Sequence, residues 1–142
     1  MKKPEDFKFF IVDDVDMCLE TTKMHLTNLG FQNIKTYNSG HVCLNDLVEK
    51  PDIIFLDHEM PEITGIEVLK RIKRFDPDIF VVVVSGQDTV QIAIDFLKFG
   101  AFDYIIKNGN EGKAIEIVMS KIVAVMKLMD NQQKGFLKKI FS

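Results

Sequence analysis

Four predominantly apolar runs punctuate the chain, two of them interrupted by a single charged residue, and a fifth, more mixed run lies between the first and second of them. Phe7-Lys8-Phe9-Phe10-Ile11-Val12, Ile53-Ile54-Phe55-Leu56, Ile79-Phe80-Val81-Val82-Val83-Val84 and Phe102 to Ile106 are short, and each is closed by polar or turn-forming residues. Runs of this length and composition predict strands buried on both faces. Asn33 to Tyr37 fits a shorter, more exposed strand. Between the runs the apolar period changes to that of a helix. Val15, Leu19, Thr22, Leu26 and Leu29 form a first helical set, with Gly30 as its stop. Ser39 can cap a second helix carrying Leu44, Leu47 and Val48 on one face. Ile66, Leu69 and Ile72 form a third, closed by Phe75-Asp76-Pro77. Asp88 or Thr89 starts a fourth, with Val90, Ala93, Ile94 and Leu97 expected inward and Gly100 beyond its end. The fifth begins near Glu111 and carries Ile115, Val118, Met119, Ile122, Met126 and Met129.

Strand and helix thus alternate five times. That alternation predicts an α/β fold, a doubly wound (βα)5 three-layer sandwich with a parallel sheet and right-handed crossovers. No gap is long enough for a second domain, so residues 1–130 are assigned to one unit. Asn131-Gln132-Gln133-Lys134-Gly135 is expected to break the last helix, and residues 131–142 form a short basic amphipathic tail. Such a tail suits a locally packed or frayed end, or contact with a partner or an anionic surface.

With 142 residues and 46% apolar content, the chain can bury a core without covalent staples. A net charge of −3 gives no electrostatic footprint for direct nucleic-acid binding. Cys18 and Cys43 have no metal-ligand spacing and read as small buried residues of a reduced, cytoplasmic protein. No apolar run reaches the length of a transmembrane helix, and the first residues lack the apolar region of a signal peptide.

The chemistry concentrates where the strands stop. Asp13 and Asp14 close the first strand, Asp57 the third, Ser85 the fourth and Lys107 the fifth. A parallel sheet places all these carboxyl ends along one edge, where open α/β sheets bind ligands. Three carboxylates in close quarters repel one another unless a cation sits among them. An oxygen-only donor set suits Mg²⁺, which keeps waters that a phosphate can displace. Lys107 adds a mobile charge for a phosphoryl oxygen, and Ser85 adds a hydroxyl. The set reads as a phosphoryl site in which a carboxylate is the nucleophile. Read singly, each residue has an ordinary role: Asp14 or Asp16 as a helix cap, Ser85 in a Ser-Gly turn, Lys107 as a solvated strand end.

Four segments carry a resemblance to a known family. Ile11-Val12-Asp13-Asp14 resembles an acidic pair, and Asp57-His58-Glu59-Met60-Pro61-Glu62-Ile63-Thr64-Gly65 resembles a phospho-acceptor loop. Val84-Ser85-Gly86 resembles a switch-hydroxyl position, and Gly100-Ala101-Phe102-Asp103-Tyr104-Ile105-Ile106-Lys107 a motif with a switch aromatic and a lysine. In this order and spacing, from Lys8 to Leu128, they resemble the response-regulator receiver domain of bacterial two-component signalling. The resemblance implies a flavodoxin-like sheet of order 2-1-3-4-5. It implies that Asp57 takes a phosphoryl group from a sensor histidine kinase or histidine phosphotransfer protein. Mg²⁺ would be held by Asp14, Asp57 and the backbone carbonyl of Glu59, with Asp13 acting through water. Lys107 would pair with the phosphoryl group, and Ser85 and Tyr104 would relay the change. Output would pass to a downstream protein through the fourth helix, fifth strand and fifth helix, with phosphorylation-linked dimers as a further use.

The sequence departs from the family pattern at two places. Asn108 follows Lys107 where proline is usual, so a trans Lys107-Asn108 bond is expected, the chain reversing through the Asn108-Gly109 turn. Glu59 places a carboxylate where neutral or small polar residues are common, which bears on phosphoryl lifetime. Two rival readings stand beside this one. The first is a receiver-fold interaction module that works without phosphorylation. The second is a haloacid-dehalogenase-type phosphatase with Asp14 as nucleophile and Asp16 as acid, which turnover of a small phosphoester separates from the others.

Overall fold

The computed structural model describes residues 2–86 and 89–141. Strands β1 (Phe9–Val12), β2 (Ile34–Tyr37), β3 (Ile53–Asp57), β4 (Phe80–Ser85) and β5 (Asp103–Ile106) form one parallel sheet in the order β2-β1-β3-β4-β5. Helices α1 (Asp16–Asn28), α2 (Gly40–Asn45), α3 (Gly65–Phe75), α4 (Val90–Lys98) and α5 (Glu111–Phe141) connect and follow them. This is the doubly wound flavodoxin-like order expected from the resemblance. Every residue of β1 and β3 is buried, whereas the edge strands β2 and β5 mix buried and accessible positions.

The continuous apolar runs resolve into two cores because successive strand residues point to opposite faces. Phe10, Ile54, Val81 and Val83 face α2, α3 and α4. Phe9, Ile11, Phe55, Val82 and Ile105 face α1 and α5. A fully buried side chain of this size stabilises the fold by about 1.5–3 kcal/mol, which is why the inner strands β1, β3 and β4 carry no polar residue before their last position.

Several expected packing faces differ in detail. In α4 the inward residues are Phe96, which is fully buried, and Ile92, whereas Val90, Ile94 and Leu97 face solvent. The helix carries two overlapping apolar sets at helical spacing, and periodicity cannot choose between them; the aromatic ring fills the space over β4 and β5. Val48 is exposed and Cys43 is buried instead, because α2 ends early and passes into a tighter 3-10 turn, Leu47–Glu49. Val15 and Leu29 flank α1 and are accessible, while Leu19, Thr22 and Leu26 carry its buried stripe. Thr89 precedes α4, and Asp88, the alternative start, lies outside the described residues. Burial raises the Cys43 thiol to about 12, so Cys43 behaves as the apolar filler expected.

The largest correction concerns the C-terminus. Residues 131–135 do not break α5, which runs unbroken from Glu111 to Phe141. The single Gly135 costs about 1 kcal/mol relative to alanine, too little to stop a helix already nucleated over the core.

Candidate functional site

β1 delivers Asp13 and Asp14 to the carboxyl edge of the sheet. The Asp13 backbone N–H donates to the Tyr37 carbonyl at 3.0 Å, which extends the pairing with β2 by one residue. Its Oδ1 then accepts from the Val15 N–H at 2.9 Å, a local turn that starts α1 and fixes the carboxylate. Asp13 is buried and Asp14 beside it is exposed.

β3 ends on Asp57, which is only 8% exposed. The chain must return at once into α3, and Gly65 makes that possible. A Cβ at this position would stand 2.6 Å from the Asp57 carbonyl oxygen and 2.8 Å from that of His58. The Gly65 N–H donates to the His58 carbonyl at 3.1 Å, and Thr64 caps α3 by accepting from the Glu67 N–H at 3.2 Å. The glycine is thus required by close backbone approach.

β4 ends on Ser85, 1% exposed, whose carbonyl accepts from the Lys107 backbone N–H at 2.8 Å. That bond sets Lys107 one step beyond β5. Its side chain reaches back so that Nζ lies 2.9 Å from Asp13 Oδ2 and 3.2 Å from Asp57 Oδ1. There is no cis peptide bond among the described residues, so Lys107-Asn108 is trans, as the missing proline predicts. The turn that follows is built by other means. Asn108 Oδ1 accepts from the Asn110 N–H at 3.0 Å, Gly109 takes a φ of +94°, and Glu111 accepts from the Gly109 N–H at 3.1 Å.

The electrostatics follow from this crowding. Burial, then the charge of Asp13, raises the Asp57 carboxyl above the usual carboxylate range, and Lys107 offsets only part of the rise. Burial alone would lower the Lys107 ammonium, but its hydrogen bonds and charge pairing with Asp13 and Asp57 outweigh burial and raise it. One oxygen from each of Asp13, Asp14 and Asp57 lies within 4.8 Å of the others. Three carboxylates at this spacing, two buried and one open to solvent, fit a small divalent cation with retained waters. Asp14 and Asp57 border an open cleft of about 700 Å³ whose lining also includes Glu59, Thr64, Ser85 and Lys107.

The structure therefore brings together Asp13, Asp14, Asp57, Ser85 and Lys107, with Glu59 at the rim. Tyr104 stands apart, half-buried on β5, its ring centroid 5.9 Å from that of Phe96. Phe96 in turn meets His58 edge-on at 5.1 Å. His58 and Phe96 were not legible as site neighbours in the sequence, because nothing in their spacing links them. Cys18 was also missed: its Sγ lies 3.6 Å from Lys107 Nζ, so it borders the site rather than filling the core. The His58 Nδ1 atom is buried without a hydrogen-bond partner among the described residues.

Comparison with known proteins agrees with this geometry. The family model of the response regulator receiver domain matches residues 9–119. The chain is 30% identical over 110 residues to the chemotaxis protein CheY of Thermotoga maritima, covering 77% of this chain and 92% of that one. It is 32% identical to the transcriptional regulatory protein ZraR of Klebsiella oxytoca, over 84% of this chain and only 26% of that protein. Among solved structures, a chain of the CheX-CheY-BeF3-Mg²⁺ complex from Borrelia burgdorferi is 30% identical with a TM-score of 0.74, covering 82% of this chain and 89% of that one. A receiver domain protein from Clostridium thermocellum gives a TM-score of 0.78 at 26% identity, over 87% and 98% of the two chains. The phosphatase reading built on Asp14 and Asp16 gains no support from any of these likenesses. By its sheet, its edge of carboxylates and lysine, and its match over residues 9–119, this chain belongs to the response regulator receiver domain family.

Proposed function

We propose that the chain is a phosphorylation-dependent switch in which Asp57 accepts a phosphoryl group from a sensor histidine kinase or a histidine phosphotransfer protein in the cytoplasm. The observation that carries this reading is the Lys107 ammonium spanning Asp13 and Asp57 at the mouth of the cleft. An Asp57 oxygen forms the new bond to phosphorus as the phosphorus–nitrogen bond of phosphohistidine breaks and the imidazole takes up a proton. Lys107 leaves Asp57 and pairs with a phosphoryl oxygen. Asp14, Asp57 and the Glu59 carbonyl would hold Mg²⁺, with Asp13 acting through water. The metal, when bound, supplies charge neutralisation for the phosphoryl oxygens. The Ser85 hydroxyl donates to the phosphoryl group, and Tyr104 moves into the space it leaves, against Phe96.

The domain is a signalling module that assists its own phosphoryl transfer and hydrolysis rather than a turnover enzyme. Its output face is α4, β5 and α5. Val90, Ile94, Leu97 and Phe99 of α4 and its following turn are exposed there, with Ile106 and Ile117 beside them. Binding of a downstream protein or of a second phosphorylated copy to this face in one state alone makes the switch.

The test is incubation with acetyl phosphate followed by mass measurement. Wild type should gain one phosphoryl mass in Mg²⁺ and none in excess chelator, and Asp57→Asn should gain none. Labelling of the variant overturns the acceptor assignment. A wild type that never labels, from acetyl phosphate or a phosphohistidine donor, leaves the reading of an interaction module working without phosphorylation.

A further inference from the structure

His58 follows Asp57 at the end of β3, and its backbone is closely held. Its carbonyl accepts from the Gly65 N–H at 3.1 Å, and a Cβ on Gly65 would stand 3.0 Å from the His58 Cα. Successive residues of a strand alternate between faces, so His58 falls on the face of Leu56, opposite to that of Asp57. There its half-buried ring meets the fully buried Phe96 edge-on at 5.1 Å. The Nδ1 atom is buried and has no hydrogen-bond partner among the described residues. Buried polar atoms are nearly always paired, and an unpaired one raises the free energy of the state that contains it. An imidazole that carries its proton on Nε2 presents Nδ1 as a hydrogen-bond acceptor.

The register of the sheet shows which donor can reach that atom. Leu56 is opposite Val83 and Val83 is opposite Tyr104, so the three form a row across β3, β4 and β5. Leu56 and Val83 lie in the core that includes Phe96, and Tyr104 packs against it. Two residues further along the chain, the same face carries His58 after β3 and Ser85 at the end of β4. Tyr104 and His58 are thus two strands and two residues apart, about 12 Å between Cα atoms. A tyrosine and an imidazole extended toward one another, joined by an O–H···N bond, span that separation. Ser85, 1% exposed, stands on the strand between them. When its hydroxyl turns to the phosphoryl group, the ground it leaves lies beside His58.

We propose that Tyr104, on turning inward, donates its hydroxyl hydrogen to His58 Nδ1, which makes His58 a positioning residue for the switched state. This bond presupposes the phosphorylation-dependent switch described above. Phe96 packs against both rings and holds the imidazole edge-on before and after the change. The bond forms in the inward state alone, so it weights the equilibrium toward that state. The unpaired Nδ1 of the resting fold is the other half of the same bias.

Nitrogen NMR of the full chain, ring-labelled at histidine, tests this, with the phosphoryl occupancy of each sample measured by mass. The other two histidines, His25 and His41, are assigned by His25→Gln and His41→Gln. In wild type the His58 Nδ1 resonance should move as that of a hydrogen-bonded acceptor does when acetyl phosphate and Mg²⁺ label Asp57. In labelled Tyr104→Phe it should stay at its unlabelled position. His58→Phe keeps a ring against Phe96 and removes the acceptor. Once labelled, that variant should show an inward-to-outward ratio of Tyr104, read from its ring carbon signals, roughly tenfold below wild type. Either variant decides alone should the other fail to fold or to label. An Nδ1 resonance that ignores the phosphoryl group in labelled wild type, or moves equally in labelled Tyr104→Phe, overturns the His58 role and leaves the phosphoryl switch standing. So does an unchanged Tyr104 ratio in labelled His58→Phe. A wild type that gains no phosphoryl mass overturns both.

Discussion

Replacing Lys107 with methionine isolates the central electrostatic claim, because the stem is nearly conserved while the charge is lost. The side chains involved are 24% exposed for Lys107, 7% for Asp13 and 9% for Asp57, so solvent screens the pair only in part. Lys107→Met deletes a 2.9 Å and a 3.2 Å charge-assisted contact and leaves three carboxylates within 4.8 Å without a cation. Removing one member of a buried pair costs about 3–5 kcal/mol, and discounting for partial exposure gives about 2–4 kcal/mol of lost stability without metal. The loss should shrink in millimolar Mg²⁺, because a dication then takes over the role of the ammonium. Deleting a positive charge beside the cluster should also tighten Mg²⁺ binding, by roughly tenfold or more at an effective dielectric near 20. Labelling by acetyl phosphate should nevertheless slow, since the phosphoryl oxygen loses its partner. Urea melts with chelator and with Mg²⁺, a metal titration and mass measurement read all three. Equal destabilisation with and without Mg²⁺, or weaker metal binding by the variant, would refute the reasoning.

Gly65→Ala should destabilise by about 1–3 kcal/mol and slow labelling of Asp57, because its Cβ meets the Asp57 and His58 carbonyls at 2.6 and 2.8 Å; urea melts and mass measurement check both. Phe96→Ala, removing a fully buried ring between His58 and Tyr104, should cost about 3–5 kcal/mol in the same melts. Asp57→Asn should stabilise the metal-free protein at neutral pH. The folded pKa of Asp57 is raised, so the fold penalises its charged form; that penalty is full above the folded pKa and absent below the unfolded value near 3.9. Melts of both proteins across pH should therefore converge as pH falls below about 4; a gain that persists there removes Asp57 as its source.

The sequence by itself determined the architecture and most of the cleft. Continuous apolar runs alternating with helical periods admit a doubly wound parallel sheet and little else, and such a sheet gathers every strand end along one edge. Asp13, Asp14, Asp57, Ser85 and Lys107 were legible because each terminates a strand, a position that needs no knowledge of side-chain packing. The trans Lys107-Asn108 bond was legible for the same local reason, the absence of proline. Only the tertiary structure decided which face of α4 is buried. Two apolar sets share that helix, and only the space between His58 and Tyr104 selects the Phe96 ring. It alone placed Cys18 against Lys107, since that contact joins positions 89 residues apart. The continuation of α5 through Gly135 was also beyond local rules. Propensity marks Asn131 to Gly135 as weak, but a helix anchored on the sheet by Ile115 to Ile122 has already met its nucleation cost, and each added turn needs only a small gain to persist.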